Sequence, residues 1–166
     1  MWTLATAPGH RRNFWQDIAD VYYRHIVDEG KEQAFWLLVS FLATFVIVRL
    51  ITHAIRAGRG PFRNVSVGGT HLHHLVPGIV LVLVTGYLST AIHPRAGRTT
   101  VAILFGLGAA LTLDEFALWL HLKDVYWTKE GRRSVDAVII CATVAGLVVL
   151  GFRFWHDLFH AVGRHL

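Results

Sequence analysis

The sequence contains little charge and a single cysteine. Of its 166 residues, 16% are charged, against roughly 25% in an average protein. A soluble domain of this size exposes most of its residues and needs more charge, so the composition favours a membrane protein. Because Cys141 is the single cysteine, an intramolecular disulfide and a cysteine-rich metal site are excluded. No lysine- and arginine-rich run is present, so the net charge of +5 does not indicate nucleic-acid binding.

The apolar residues are concentrated in four long blocks. These blocks cover about residues 34–55, 72–92, 99–122 and 135–154. Each approaches the roughly 20 helical residues that cross a hydrocarbon core of about 30 Å. Backbone groups in lipid must bond within their own segment, which favours helices. The sequence therefore predicts an all-α, four-transmembrane-helix bundle over residues 34–166, multi-pass in the cell membrane and in contact with its lipids. Gly78, Gly86 and Gly106 are expected to permit close helix approach.

Two further segments have an amphipathic pattern. In residues 1–33, aromatic and aliphatic side chains recur near helical spacing, with the acids elsewhere. This predicts an interfacial N-terminal helix. Residues 152–160 are similar, and they also place His156 and His160 four residues apart. An interfacial helix is favoured there over a second metal site.

Polar side chains are expected to converge at one end of the bundle. Alternating spans bring the 56–70 and 123–134 loops to the same side. The polar residues next to these loops are His71, His73 and His74 at the start of the second span, and Asp114, Glu115 and His121 late in the third. Asp114 and Glu115 are the only carboxylates between Glu32 and Asp124. A charge at mid-membrane costs about 2.5–3.5 kcal/mol, which favours a functional role for the pair.

Imidazoles and carboxylates together are ligands for Zn²⁺ or non-haem iron. The sequence therefore predicts a divalent metal site with His71, His73, His74, Asp114 and His121 as candidate ligands. Asp114 shares a helix face with His121, while Glu115 projects about 100° away and is the candidate general base on a metal-bound water. Two alternatives stay open. The carboxylates could form structural ion pairs with Arg49, Arg132 or Arg133, or two histidines could hold a haem, which is less favoured beside two acids.

The leading functional hypothesis is a metal-dependent membrane enzyme that acts on a lipid or other amphiphile. A hydrolase is favoured, with a non-haem iron oxidoreductase close behind. The first alternative is an oligomeric transporter that moves metal ions or couples transport to protons. The second is a non-catalytic scaffold in which the polar cluster only fixes the helix register.

Three stretches carry a resemblance to known proteins. They are THLHHLVPGI at 70–79, LDEFALWLHLKDVYW at 113–127 and GRRSVDA at 131–137. The pattern resembles small four-span bacterial integral membrane proteins to which no activity is assigned. The likeness covers roughly half of the chain. It implies a four-span membrane protein and no particular reaction.

Overall fold

The computed structural model describes residues 13–61, 66–67, 70–71, 73–92, 97–117 and 132–165. Its α-helices are α1 (Phe14–Tyr22), α2 (Glu32–Arg56), α3 (Leu75–Tyr87), α4 (Arg98–Asp114) and α5 (Arg132–Gly163). Two π-helical segments, Tyr23–Val27 and Leu88–Ile92, continue α1 and α3 respectively. Within the described ranges, the only β structure is the short antiparallel pair of β1 (Ser66–Val67) and β2 (Thr70–His71). The prediction of an all-α protein is confirmed at this level.

The chain divides into two compact units. The terminal unit comprises residues up to Lys31 together with those from Leu150 onward, and the central unit comprises Glu32–Val149. Helix α5 contributes to both. It is interrupted at Gly151, whose φ of 69° lies in the left-handed region that glycine adopts without a steric penalty.

The central unit contains α2, α3, α4 and the first part of α5, and its contacts fix their directions. Leu37 near the start of α2 lies against Gly106, and Arg49 near the end of α2 contacts Asp114, so α2 and α4 run the same way. Gly78 early in α3 lies against Thr112 late in α4, so these two helices are antiparallel.

The first part of α5 runs opposite to α2 and α4. Its Ser134 accepts a hydrogen bond from Ala117, just past α4, while Gly146 further along α5 lies against Leu38 early in α2. The four helices therefore alternate in direction, as consecutive spans of one membrane would.

Small side chains allow the central helices to pack closely. The core between α2, α4 and α5 is formed by Phe41, Ala110 and Val138. A Cβ atom at Gly78 would lie 2.8 Å from the Thr112 hydroxyl oxygen, so glycine is needed at this α3–α4 contact. A Cβ atom at Gly106 would lie even closer to Ser40 and Leu37 of α2. Gly86 makes no such contact among the described residues, where nothing lies within 4 Å of a Cβ built there.

One described helix, α2, is long and apolar enough to cross a membrane. Only 11% of its most apolar 18-residue stretch is buried inside the protein. The two parts of α5, Ser134–Gly146 and Val148–Gly163, are together long and apolar enough to cross a membrane if they are counted as one bent span. Large aliphatic side chains remain exposed on the central helices, including Val46, Ile47, Leu50, Val80, Leu83, Ile140 and Val144. This many exposed large aliphatic side chains are unusual on a soluble monomer.

In the terminal unit, Asn13 and Gln16 form a capping box that starts α1. Val21 and Ile26 are buried within the unit, whereas Trp15 is 75% exposed. Part of the apolar side predicted for this amphipathic segment is thus covered by protein, and part of it stays outward.

Candidate functional site

The two carboxylates of interest lie at the C-terminal end of α4. The helix ends at Asp114, and Glu115 has non-helical backbone angles (φ −104°, ψ 26°). Asp114 has no exposed surface, and Glu115 is 7% exposed. The two carboxylates point in different directions from this turn, and His74 lies near both of them.

Asp114 is held by a cation from α2 and an imidazole from the start of α3. The Arg49 Nε atom lies 2.5 Å from Asp114 Oδ1, and His74 Nε2 lies 3.0 Å from Asp114 Oδ2. Arg49 also donates from Nη2 to the Asp114 carbonyl oxygen at 3.3 Å, and its guanidinium lies 5.3 Å from the centre of the Phe45 ring. A cation at this position also stabilises the negative end of the α4 dipole.

Glu115 interacts with the N-terminus of α3. Its Oε1 atom lies 2.9 Å from His73 Nδ1, and its Oε2 atom accepts a 2.9 Å hydrogen bond from the Leu75 backbone N–H. The first N–H groups of a helix have no partner within the helix and favour a negative charge. Glu115 thus joins the end of α4 to the beginning of α3.

His74 lies between the two acids. Its Nε2 atom is at hydrogen-bonding distance from Asp114, and its Nδ1 atom lies 3.7 Å from Glu115 Oε1. The side chains of His73 and His74 are each 26% exposed, while that of Asp114 is completely covered. We call Arg49, His73, His74, Asp114 and Glu115 the His–carboxylate cluster. It has an accessible edge at the imidazoles and a closed end at Asp114.

Of the residues predicted from sequence, His73, His74, Asp114 and Glu115 are brought together. His71 belongs to β2, where it pairs with Ser66, and its side chain lies outside the description, as does all of His121. The Arg49–Asp114 ion pair, weighed as an alternative to metal ligation, is present. Sequence reasoning missed the Leu75 N–H, because a backbone donor leaves no signal in residue type.

In the described ranges, no group of three or more His, Cys, Asp or Glu side chains is arranged to hold a metal ion. Both oxygens of Asp114 instead contact Arg49 and His74, and both oxygens of Glu115 contact groups at the start of α3. Metal binding therefore stays a prediction, and so does the choice of Zn, Fe or haem.

The terminal unit contains a second set of ionisable contacts. Asp17 is buried, and its Oδ2 atom lies 3.0 Å from His165 Nε2 and 3.2 Å from Arg164 Nη2. The hydrogen bond from His165, aided by Arg164, holds the pKa of Asp17 below its usual value. His25, also buried, lies 3.0 Å from Asp157 Oδ2.

Comparison with protein-family models, curated proteins and solved structures finds no match to this chain.

Proposed function

We propose that this chain is a four-span, multi-pass membrane protein whose His–carboxylate cluster relays protons at one membrane boundary, and that it works as a transporter that moves protons across the membrane. The alternating directions of the four central helices and their exposed aliphatic surfaces support the membrane assignment. The burial and pairing of Asp114 and Glu115 support the relay.

The observation that carries the relay is the position of His74. A neutral imidazole that donates from Nε2 to Asp114 presents the lone pair of Nδ1 toward Glu115. A proton that arrives at Nδ1 allows the one on Nε2 to leave, so a single side chain connects the two acids. The 3.7 Å separation from Glu115 exceeds a hydrogen bond, so proton transfer between Glu115 and Nδ1 requires the imidazole or the carboxylate to move closer.

The formal charge of the cluster supports the same function. Arg49 contributes +1, and Asp114 and Glu115 contribute −1 each, so the cluster carries −1 with neutral imidazoles and 0 after binding one proton. Net charge is costly in a poorly solvated site, so proton binding and release change the free energy of this end of the bundle. A transporter that moves protons requires such a change at its proton-binding site.

A groove at the other end of the central unit supports transport over a one-sided reaction. Its volume is about 540 Å³, and its lining includes Gln33, Leu37, Ser89, Arg98 and Phe105. The core of Phe41, Ala110 and Val138 lies between the groove and the cluster. One four-helix chain leaves little room for alternating access, so we propose that the transporter is a homo-oligomer.

Proton uptake by sealed proteoliposomes, driven by an imposed membrane potential, tests the relay. The wild-type chain is expected to take up protons at least tenfold faster than His74→Ala. His53→Ala is the matched control, because His53 is an exposed imidazole near the same end of α2 and should retain the wild-type rate. Uptake by the wild type no faster than by protein-free vesicles would reject the proposal.

Labelling tests separately whether α3 crosses the membrane, as the four-span topology requires. On a background without Cys141, single cysteines at Ala57, after α2, and at Gly97, before α4, are expected to react from opposite sides of sealed vesicles. Reaction from the same side would contradict a membrane crossing between them.

A metal-dependent enzyme acting on an amphiphile is the second candidate, and the pairing of His74 favours it. Metal-bound histidines usually donate their other nitrogen to a carboxylate, as His74 does to Asp114. The 3.7 Å between His74 Nδ1 and Glu115 Oε1 is close to the roughly 3.4 Å between two tetrahedral zinc ligands. This candidate makes Glu115 a ligand and Asp114 a positioning residue, the reverse of the assignment from sequence.

Metal analysis of protein purified without a histidine tag tests the second candidate. We expect the wild type to retain one equivalent of metal that Glu115→Gln lacks and that Asp114→Asn retains more weakly. The same metal content in the wild type and in a His73→Ala/His74→Ala variant would reject it.

A further inference from the structure

The last part of α5 places two imidazoles side by side in the terminal unit. His156 and His160 are separated by one helical turn, and their ring centres lie 4.4 Å apart. We propose that this pair binds a transition-metal ion such as Zn²⁺. The proposal is independent of the His–carboxylate cluster, since it uses none of the cluster's residues.

The ring separation fits two bonds to one metal ion. With metal–nitrogen bonds of about 2.1 Å, each ring centre lies about 3.2 Å from the ion. Bond angles of about 90–110° at the ion then separate the two ring centres by about 4.5–5.2 Å. The observed 4.4 Å is just below this range, so the two rings are at nearly the separation that one shared ion requires.

A chain of hydrogen bonds fixes the orientation of His156. Its Nδ1 atom donates to Asp157 Oδ1 at 2.9 Å, which leaves the lone pair of a neutral ring on Nε2, available to a metal. The other oxygen of Asp157 accepts a 3.0 Å hydrogen bond from His25 Nε2. His25 is itself buried, edge-on to Phe154. Carboxylates that hold ligating histidines in this way commonly strengthen metal binding.

The donors and their exposure define the class of ligand. Neutral imidazoles select Zn²⁺, Ni²⁺ or Cu²⁺ over Mg²⁺ and Ca²⁺, which prefer oxygen ligands. The side chain of His156 is 55% exposed, so an ion in solution can reach it. Two protein ligands leave the remaining coordination positions to water.

Equilibrium dialysis of the tag-free full-length chain against Zn²⁺ tests this site. We expect His156→Ala and His160→Ala each to weaken one equivalent of binding by at least tenfold. Asp157→Asn should weaken the same equivalent by about 10–100-fold while both ligands remain, which identifies it as a positioning residue. The His73→Ala/His74→Ala variant should keep this equivalent, so the site is distinguished from the cluster.

His53→Ala is the matched control for non-specific binding by exposed imidazoles, and it should bind as the wild type does. Unchanged binding in both His156→Ala and His160→Ala would overturn the proposal. An equal loss in His53→Ala would also overturn it, since binding would then reflect surface histidines in general. Helical circular dichroism confirms that each variant is folded before the comparison is made.

Discussion

The ion pair between Arg49 and Asp114 should contribute far more to stability than an exposed pair. Asp114 has no exposed surface, and the Arg49 side chain is 16% exposed. Removing one member of a buried pair typically costs 3–5 kcal/mol, because the other charge is left without compensation. His74 still contacts Asp114 in an Arg49→Met variant, so we expect the lower end, about 3 kcal/mol.

A double-mutant cycle isolates this interaction. Arg49→Met/Asp114→Asn removes both charges, so its loss of stability should be smaller than the sum of the single losses by about 2–3 kcal/mol. The matched cycle uses Arg24 and Asp20, an i,i+4 ion pair in the terminal unit with side chains 60% and 32% exposed. Its coupling should stay below about 1 kcal/mol.

Reversible unfolding in mixed detergent micelles, followed by circular dichroism, measures the free energies in both cycles. A coupling energy at Arg49–Asp114 no larger than that of the exposed pair would refute the assignment of a buried, mutually compensating pair.

Two further predictions follow from contacts elsewhere in the chain. Gly78→Ala is expected to cost about 1–3 kcal/mol of unfolding free energy through overpacking, whereas Gly86→Ala on the same helix should be neutral or stabilising. Equal losses in the same unfolding assay would contradict the α3–α4 contact. His165 lowers the pKa of Asp17 in the folded protein, so the ionised carboxylate stabilises the fold. This stabilisation is present at pH values above 3.8, the ordinary pKa of the group, and is lost as the pH falls through the lower pKa of the folded state. Below about pH 4, the unfolding free energy of Asp17→Asn should therefore depend less steeply on pH than that of the wild type. An identical pH dependence in the two proteins would contradict this.

The helical class and the membership of the cluster could be predicted because both depend on pattern. The apolar block at 34–55 appears as α2, Glu32–Arg56. Alternating helix directions predict that the residues before α3 lie close to the end of α4. Four of the six predicted site residues meet there, and Arg49 was recognised as a partner for the acids.

The different roles of Asp114 and Glu115 could not be predicted from helical geometry. The sequence interpretation assumed one continuous helix through both residues and on to His121. Helix α4 instead ends at Asp114, and Glu115 turns to the N-terminus of α3 before helical backbone resumes at residues 116–117. Apolar composition continues past this point, so hydropathy does not mark the end of the helix.

Pairing within the terminal unit was equally invisible in the sequence. Asp17 and His165 are 148 positions apart, and His25 and Asp157 are 132 apart. Helical periodicity describes neighbours within a few turns and contains no information about such contacts.

Chemical rescue of proton uptake tests the central claim, that His74 relays protons between Asp114 and Glu115, most directly. Proteoliposomes containing His74→Ala would be assayed with and without added imidazole, beside wild-type and His53→Ala vesicles. The relay predicts slow uptake by His74→Ala that imidazole restores toward the wild-type rate, with no effect of imidazole on His53→Ala. Uptake by His74→Ala at the wild-type rate, or slow uptake that imidazole leaves unchanged, would contradict the relay.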